Sequence, residues 1–194
     1  AEARRTMIEV AEACYGHKFE KEPLIVGTSG RYEYHNKGLD IFMESLKRLA
    51  SCALDREILA YVTVPAANNG PRADLVRHLQ DASQPIDSAQ CKYTTHYLEN
   101  TQWDPISQTM RGSILESKES KVKVIFVPSY LNSADGVFNK NYYEMLVGMD
   151  LTAYPSYYEP WGYTPLESIA FSVPTITSNL SGFGLWAMKQ ADHE

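Results

Sequence analysis

No apolar run in this chain of 194 residues approaches the roughly 18 to 20 that a membrane-crossing helix needs, and Ala1-Glu2-Ala3-Arg4-Arg5 leads into no signal-peptide core. Neither a membrane partner nor a secretory leader is expected. Cysteine is sparse. Cys14, Cys52 and Cys91 are odd in number and form no CxxC spacing, which argues against a disulfide framework, against a metal site and for a reduced compartment, the cytoplasm. Basic charge is not in excess either. Eighteen Lys and Arg stand against 24 Asp and Glu, a net charge of −6, so nucleic acid is disfavoured as a partner and any phosphate site has to be a local pocket. Repeats, low-complexity tracts and linkers are lacking. What remains is ordinary globular composition, 44% hydrophobic and 22% charged, enough for one substantial core.

Met7, Val10, Ala11 and Cys14 recur at three- and four-residue steps, so the chain opens as an amphipathic helix with no capping residue ahead of it. Pro23 to Gly27 is short and nearly all apolar, the pattern of a strand buried on both faces of a parallel sheet. A glycine-bearing loop and a helix follow, the helix placing Leu39, Phe42, Met43, Leu46 and Leu49 on one side. Further strands are expected at Ile58–Val64, Val122–Val127, Leu151–Pro155 and Pro174–Thr177, with helices near Tyr142–Met149, from Pro165 and from about Gly184. Repeated strand–helix units imply an α/β fold, a Rossmann-like doubly wound parallel sheet. The domain is expected over 23–194, after a lead-in helix over 1–22, with a helical insertion or paired helices at about 83–120.

Ligands in open parallel sheets sit where loops leave the carboxyl ends of strands, and two such loops are chemically unusual. The first, GTSGRYEYHNKG over 27–38, sets two glycines, Arg31 and Lys37 just after a buried strand. A forked donor, a compact cation and close-approaching backbone suit a diphosphate. The spacing is neither Walker A nor GxGxxG, and a solvated turn is the alternative. The second, YPSYYEPWGYTPLE over 154–167, has Thr164, Pro165 and Glu167 at the spacing of a capping box with proline at the first helical position. A helix N-terminus there offers the amides of Gly162, Tyr163 and Thr164 to a phosphate. Glu167 is then either a cap or a ligand. Glu159 is either a surface acid or a functional one. The aromatics around these loops, Tyr142, Tyr143 and Trp161 among them, are either core or a surface for bases and sugars.

Two glutamates with seven residues between them, Glu159 and Glu167, after a strand and opening a helix, resemble the donor-site motif of retaining GT-B glycosyltransferases. More narrowly, YPSYYEPWGYTPLE followed by PTITSNLSGFG, together with GRYEYHNKGLDIF, is similar to the glycogen synthases of the animal and fungal type. These segments bracket 27–184, with a looser match over 66–120.

The resemblance implies transfer of glucose from UDP-glucose to the 4-hydroxyl end of an α-1,4-glucan with retention, without cofactor or metal. By motif position, Arg31 and Lys37 would hold the diphosphate, Glu159 the glucose hydroxyls and Glu167 the ribose. Tyr142 would stack on the uracil, with Tyr143 as the fallback, and Gly162, Tyr163 and Thr164 would give amides to the phosphates. The chain would be the donor-binding half. The acceptor groove would lie on an amino-terminal GT-B domain that it lacks, leaving the isolated fragment inactive, and the parent is open to homo-oligomers. The alternatives are another retaining GT-B transferase, of the sucrose or trehalose-phosphate type, or a non-catalytic nucleotide- or glucan-binding module.

Overall fold

The computed structural model describes residues 1–87 and 89–191. In chain order the elements are α1 (Glu2–Tyr15), β1 (Leu24–Ser29), α2 (Leu39–Ala50), β2 (Ile58–Thr63), β3 (Asn68–Pro71), α3 (Ala73–Gln80), β4 (His96–Leu98), α4 (Pro105–Met110), β5 (Val122–Val127), α5 (Tyr142–Leu146), β6 (Leu151–Tyr154), α6 (Tyr163–Ala170), β7 (Thr175–Thr177) and α7 (Gly182–Ala191). Five strands form one sheet in the order β5-β2-β1-β6-β7, every pair parallel. The chain works outward from β1 through β2 to β5, then returns to lay β6 on the other side of β1. That reversal is the topological switch point of a doubly wound α/β sheet, as the repeated strand–helix pattern implied.

Burial explains which strands were easy to read. Every residue of β2 and β5 is buried, so both need an unbroken apolar run. At about 1.5–3 kcal/mol for each fully buried Val, Leu or Ile, these two strands make a large contribution to the core, which α1 and α2 complete. Lys123 is the polar exception in β5. It is 1% exposed, and its ammonium donates to the Lys118 carbonyl at 2.6 Å and to that of Ser120. The helix α2 buries Leu39, Phe42, Met43 and Leu46 as its spacing requires, whereas Leu49, expected on the same face, is exposed near the end of the helix.

The stretch 83–120 is not the helical insertion expected. Among its described residues it carries only the six-residue α4, a 3-10 turn at Ile114–Glu116 and β4, which pairs antiparallel with β3. Pro105 starts α4, and Gly112, at φ 66°, turns the chain soon after its end. The last helix begins at Gly182, two residues ahead of the expected start.

Candidate functional site

β1 and β6 pair only at Val26–Leu151 and Gly27–Thr152, so a crevice opens between their carboxyl ends. The Tyr142 hydroxyl stands in it, 2.7 Å from the Ser29 hydroxyl and 3.3 Å from that of Tyr154. Burial, and after it the neighbouring Tyr154, push the Tyr142 phenol well above its usual pKa, so it stays a neutral donor. Above lies a cleft of about 410 Å³, within the range of small-molecule sites. Ser29 lines it from the end of β1, Gly30, Arg31 and Tyr32 from the loop that follows, Thr63 and Pro65 from the end of β2, and Ser129, Tyr130 and Leu131 from the loop after β5. Tyr142 and Thr164 complete the wall. Arg31 is exposed at its rim, with its Nε 2.9 Å from the Glu33 carboxylate.

Backbone and side chains bind the two candidate loops to each other. The Tyr157 amide donates to the Asn36 carbonyl at 2.9 Å, and the His35 ring lies over the Tyr157 ring at 4.0 Å. The Lys37 ammonium donates to the Glu159 carboxylate, with the two side chains 14% and 19% exposed. The loops can close this far only because Gly38 holds φ 67° against Pro155. A Cβ there would stand 2.0 Å from the Pro155 carbonyl oxygen. Glu159 is held in turn by the start of α7, where the Gly182 amide donates to its carbonyl at 3.1 Å.

The capping box expected at Thr164–Glu167 does not form. Gly162 takes φ 100° and serves as the N-cap, so α6 starts at Tyr163, and Thr164 and Pro165 fall at its second and third positions. No side chain caps the helix. Glu167 is therefore free of that duty, and its carboxylate accepts from the Tyr143 hydroxyl at 3.1 Å. The amides of Tyr163 and Thr164 open the helix with no carbonyl one turn ahead to receive them. The adjacent tyrosines divide: Tyr142 faces the cleft, while Tyr143 is exposed and stacks on Phe171 at 4.9 Å.

The structure thus brings Arg31, Tyr142 and Thr164 to one cleft and pairs Lys37 with Glu159 beside it, while Gly162 and Tyr163 begin α6 and Glu167 faces Tyr143. Ser29 and the Ser129–Leu131 segment escaped the reading of the sequence. The second was within reach of the same rule, since it directly follows a buried strand. Among the described residues no three His, Cys, Asp or Glu side chains gather to hold a metal ion.

Strand order, switch-point crevice and charged carboxyl-end loops define a doubly wound α/β domain of the kind that takes its ligand at the point of reversal. The family model described as glycogen synthase matches residues 83–194. Glycogen [starch] synthase of Neurospora crassa is 31% identical across 89% of this chain, and the human liver glycogen [starch] synthase 31% identical across 88%. The chain belongs to the glycogen synthase family. It spans about a third of the length of those relatives, 32% in each case. Among solved structures it is similar to the C-terminal domain of a group 1 family glycosyl transferase from Francisella tularensis, with a TM-score of 0.46 and 12% identity over 94% of this chain and 68% of that one. Another is the catalytic domain of starch synthase IV from Arabidopsis thaliana bound to ADP and acarbose, with a TM-score of 0.41 and 15% identity over 92% of this chain and 27% of that one.

Proposed function

We propose that this chain is the donor-binding half of a GT-B glycogen synthase that transfers glucose from UDP-glucose to the 4-hydroxyl end of an α-1,4-glucan with retention at the anomeric carbon. The observation that carries the reading is the meeting of Lys37 and Glu159. They come from positions 122 residues apart, in the loops that follow β1 and β6 on either side of the switch point, and among the described residues their charged atoms bond only each other. Breaking the bond from the anomeric carbon to the diphosphate leaves negative charge on the departing UDP. Fixed cations and amides absorb such charge best where they need not reorganise.

In this reading Arg31 and Lys37 hold the diphosphate, with the amides of Gly162, Tyr163 and Thr164 opposite them at the start of α6. Lys37 and Glu159 occupy each other until the donor enters, when the diphosphate competes for the ammonium and the glucose hydroxyls for the carboxylate. Tyr142 stacks on the uracil from the cleft floor, and Glu167 takes the ribose hydroxyls. A second domain supplies the acceptor groove and excludes water, and the whole works without metal in the cytoplasm. Among the described residues no helix is long and apolar enough to cross a membrane.

Glucan extension tests this. The complete enzyme, given UDP-glucose and an α-1,4-glucan primer, should lengthen the primer, and Glu159→Gln should abolish the extension while the protein stays folded. Undiminished extension by Glu159→Gln, or extension from no nucleotide-glucose donor, would overturn it.

A further inference from the structure

The loop that carries Arg31 and Lys37 alternates. Arg31 and His35 are exposed, while Tyr32 and Tyr34 between them turn inward onto the segment around α4. The Tyr32 hydroxyl donates to the Asp104 carboxylate at 2.5 Å and accepts from the Ile106 amide at 3.2 Å. The other oxygen of Asp104 accepts from the Ser107 amide at 2.7 Å and so caps α4. One turn on, the Tyr34 and Thr109 hydroxyls lie 2.5 Å apart. The Tyr32 ring also packs edge-on against Phe126 of β5 at 5.8 Å. Burial and the Asp104 carboxylate both push the Tyr32 phenol far above its usual pKa, so it remains a proton donor at any physiological pH.

The loop after β1 is a local turn, the Lys37 amide donating to the Glu33 carbonyl at 2.9 Å and the Gly38 amide to that of His35 at 2.8 Å, with Gly30 at φ 137° where it leaves the strand, so where the turn sits depends on what its side chains are anchored to. We infer that Tyr32 and Asp104, seconded by Tyr34 and Thr109, form a positioning clamp that fixes Arg31 and Lys37 for a diphosphate, which makes the α4 segment part of the donor site. The inference rests on the proposed role of those two cations. Tyr32 lines the cleft, but its hydroxyl is spent on Asp104 and Ile106, so it acts on the phosphates through Arg31 and Lys37 rather than by a hydrogen bond of its own.

The test uses the full chain as wild type, Tyr32→Phe, Tyr34→Phe and Asp104→Asn. Each is titrated calorimetrically with UDP and with uridine, which lacks the phosphates, and amide hydrogen exchange is followed over 24–38. Tyr32→Phe should weaken UDP roughly tenfold, since the bond it loses is to a charged group that orders both cations. Uridine binding should stay unchanged, and exchange should quicken at 31–38 but not in β1. Tyr34→Phe should move UDP in the same direction by less, and it decides the matter if Tyr32→Phe fails to fold. Asp104→Asn should weaken UDP in the same direction as Tyr32→Phe, because a carboxamide has a single oxygen and cannot accept from both the Tyr32 hydroxyl and the Ser107 amide. Equal losses for UDP and uridine would mean a merely structural role, and unaltered exchange at 31–38 would mean no clamp. Should the wild type bind neither ligand, the nucleotide reading fails, and the exchange result alone keeps or discards the clamp.

Discussion

Two ion pairs in this chain look alike on paper and differ in everything around them. Arg72 and Asp74 are 1% and 5% exposed, joined at 2.7 and 3.2 Å, and both are engaged by further bonds. Arg72 also donates to the carbonyls of Cys91 and Thr94 at 2.8 and 3.0 Å, and Asp74 accepts from the Asp87 amide at 3.0 Å. Lys37 and Glu159 join two loops beside an open cleft, and among the described residues their charged atoms bond only each other. A buried pair whose donors and acceptors are nearly all engaged holds a fold together. A pair with valences to spare is ready to exchange its partner for a ligand.

The difference can be broken at either end. Arg72→Ala leaves a buried carboxylate uncompensated, which costs about 3–5 kcal/mol. Thermal unfolding should fall by on the order of 10 °C, while UDP affinity of the folded protein stays as it was. Lys37→Ala should do the opposite. Its partly exposed pair is worth about 1 kcal/mol or less to stability, whereas kcat of the complete enzyme should fall on the order of 100- to 1,000-fold with a smaller change in donor KM, as for loss of one stabilising donor in a transition state. An equal change in both constants would place Lys37 in ground-state binding.

Glu167→Gln sharpens the comparison further. Since the Glu167 carboxylate caps no helix and, among the described residues, accepts only from Tyr143, melting should not move. UDP affinity should drop by roughly 1.5–3 kcal/mol, the worth of hydrogen bonds to a charged acceptor. A variant that binds UDP like wild type would remove Glu167 from the site.

The smallest effect is in acid. Burial alone would raise the Asp74 carboxyl, but the Arg72 guanidinium and backbone amides outweigh it and hold it below its usual value near 3.8. A depressed folded-state pKa adds stability that is present above the unfolded value and lost as pH falls through the folded one. Denaturant midpoints should therefore decline below about pH 4, and that portion of the decline should be missing in Arg72→Ala.

How much of this was legible in the sequence follows from sequence distance. β1, β2 and β5 announce themselves because strands buried on both faces must be mostly apolar, Lys123 being the exception in β5. β3 does not, because Asn68–Pro71 has no alternation and its partner, His96–Leu98, lies some 25 residues on. The residues now proposed to meet the donor were readable because charge placed directly after an apolar strand has few structural uses. Their supports were not. Tyr32 reaches Asp104 across 72 residues and Lys37 reaches Glu159 across 122, and no local pattern encodes either meeting. The start of α6 was misread for a conformational reason: Thr164-Pro165 fits a helix entrance by composition, yet Gly162 turns at φ 100° and begins the helix two residues sooner than proline at the first position would.

Calorimetric titration of UDP into the chain, alongside Arg31→Ala and Lys37→Ala, tests the central claim most directly. The account predicts one UDP bound per chain, weaker in both variants, with each variant melting within a few degrees of wild type, as expected for partly exposed charges. Absence of binding by the folded wild-type chain, or equal binding by all three proteins, would contradict it.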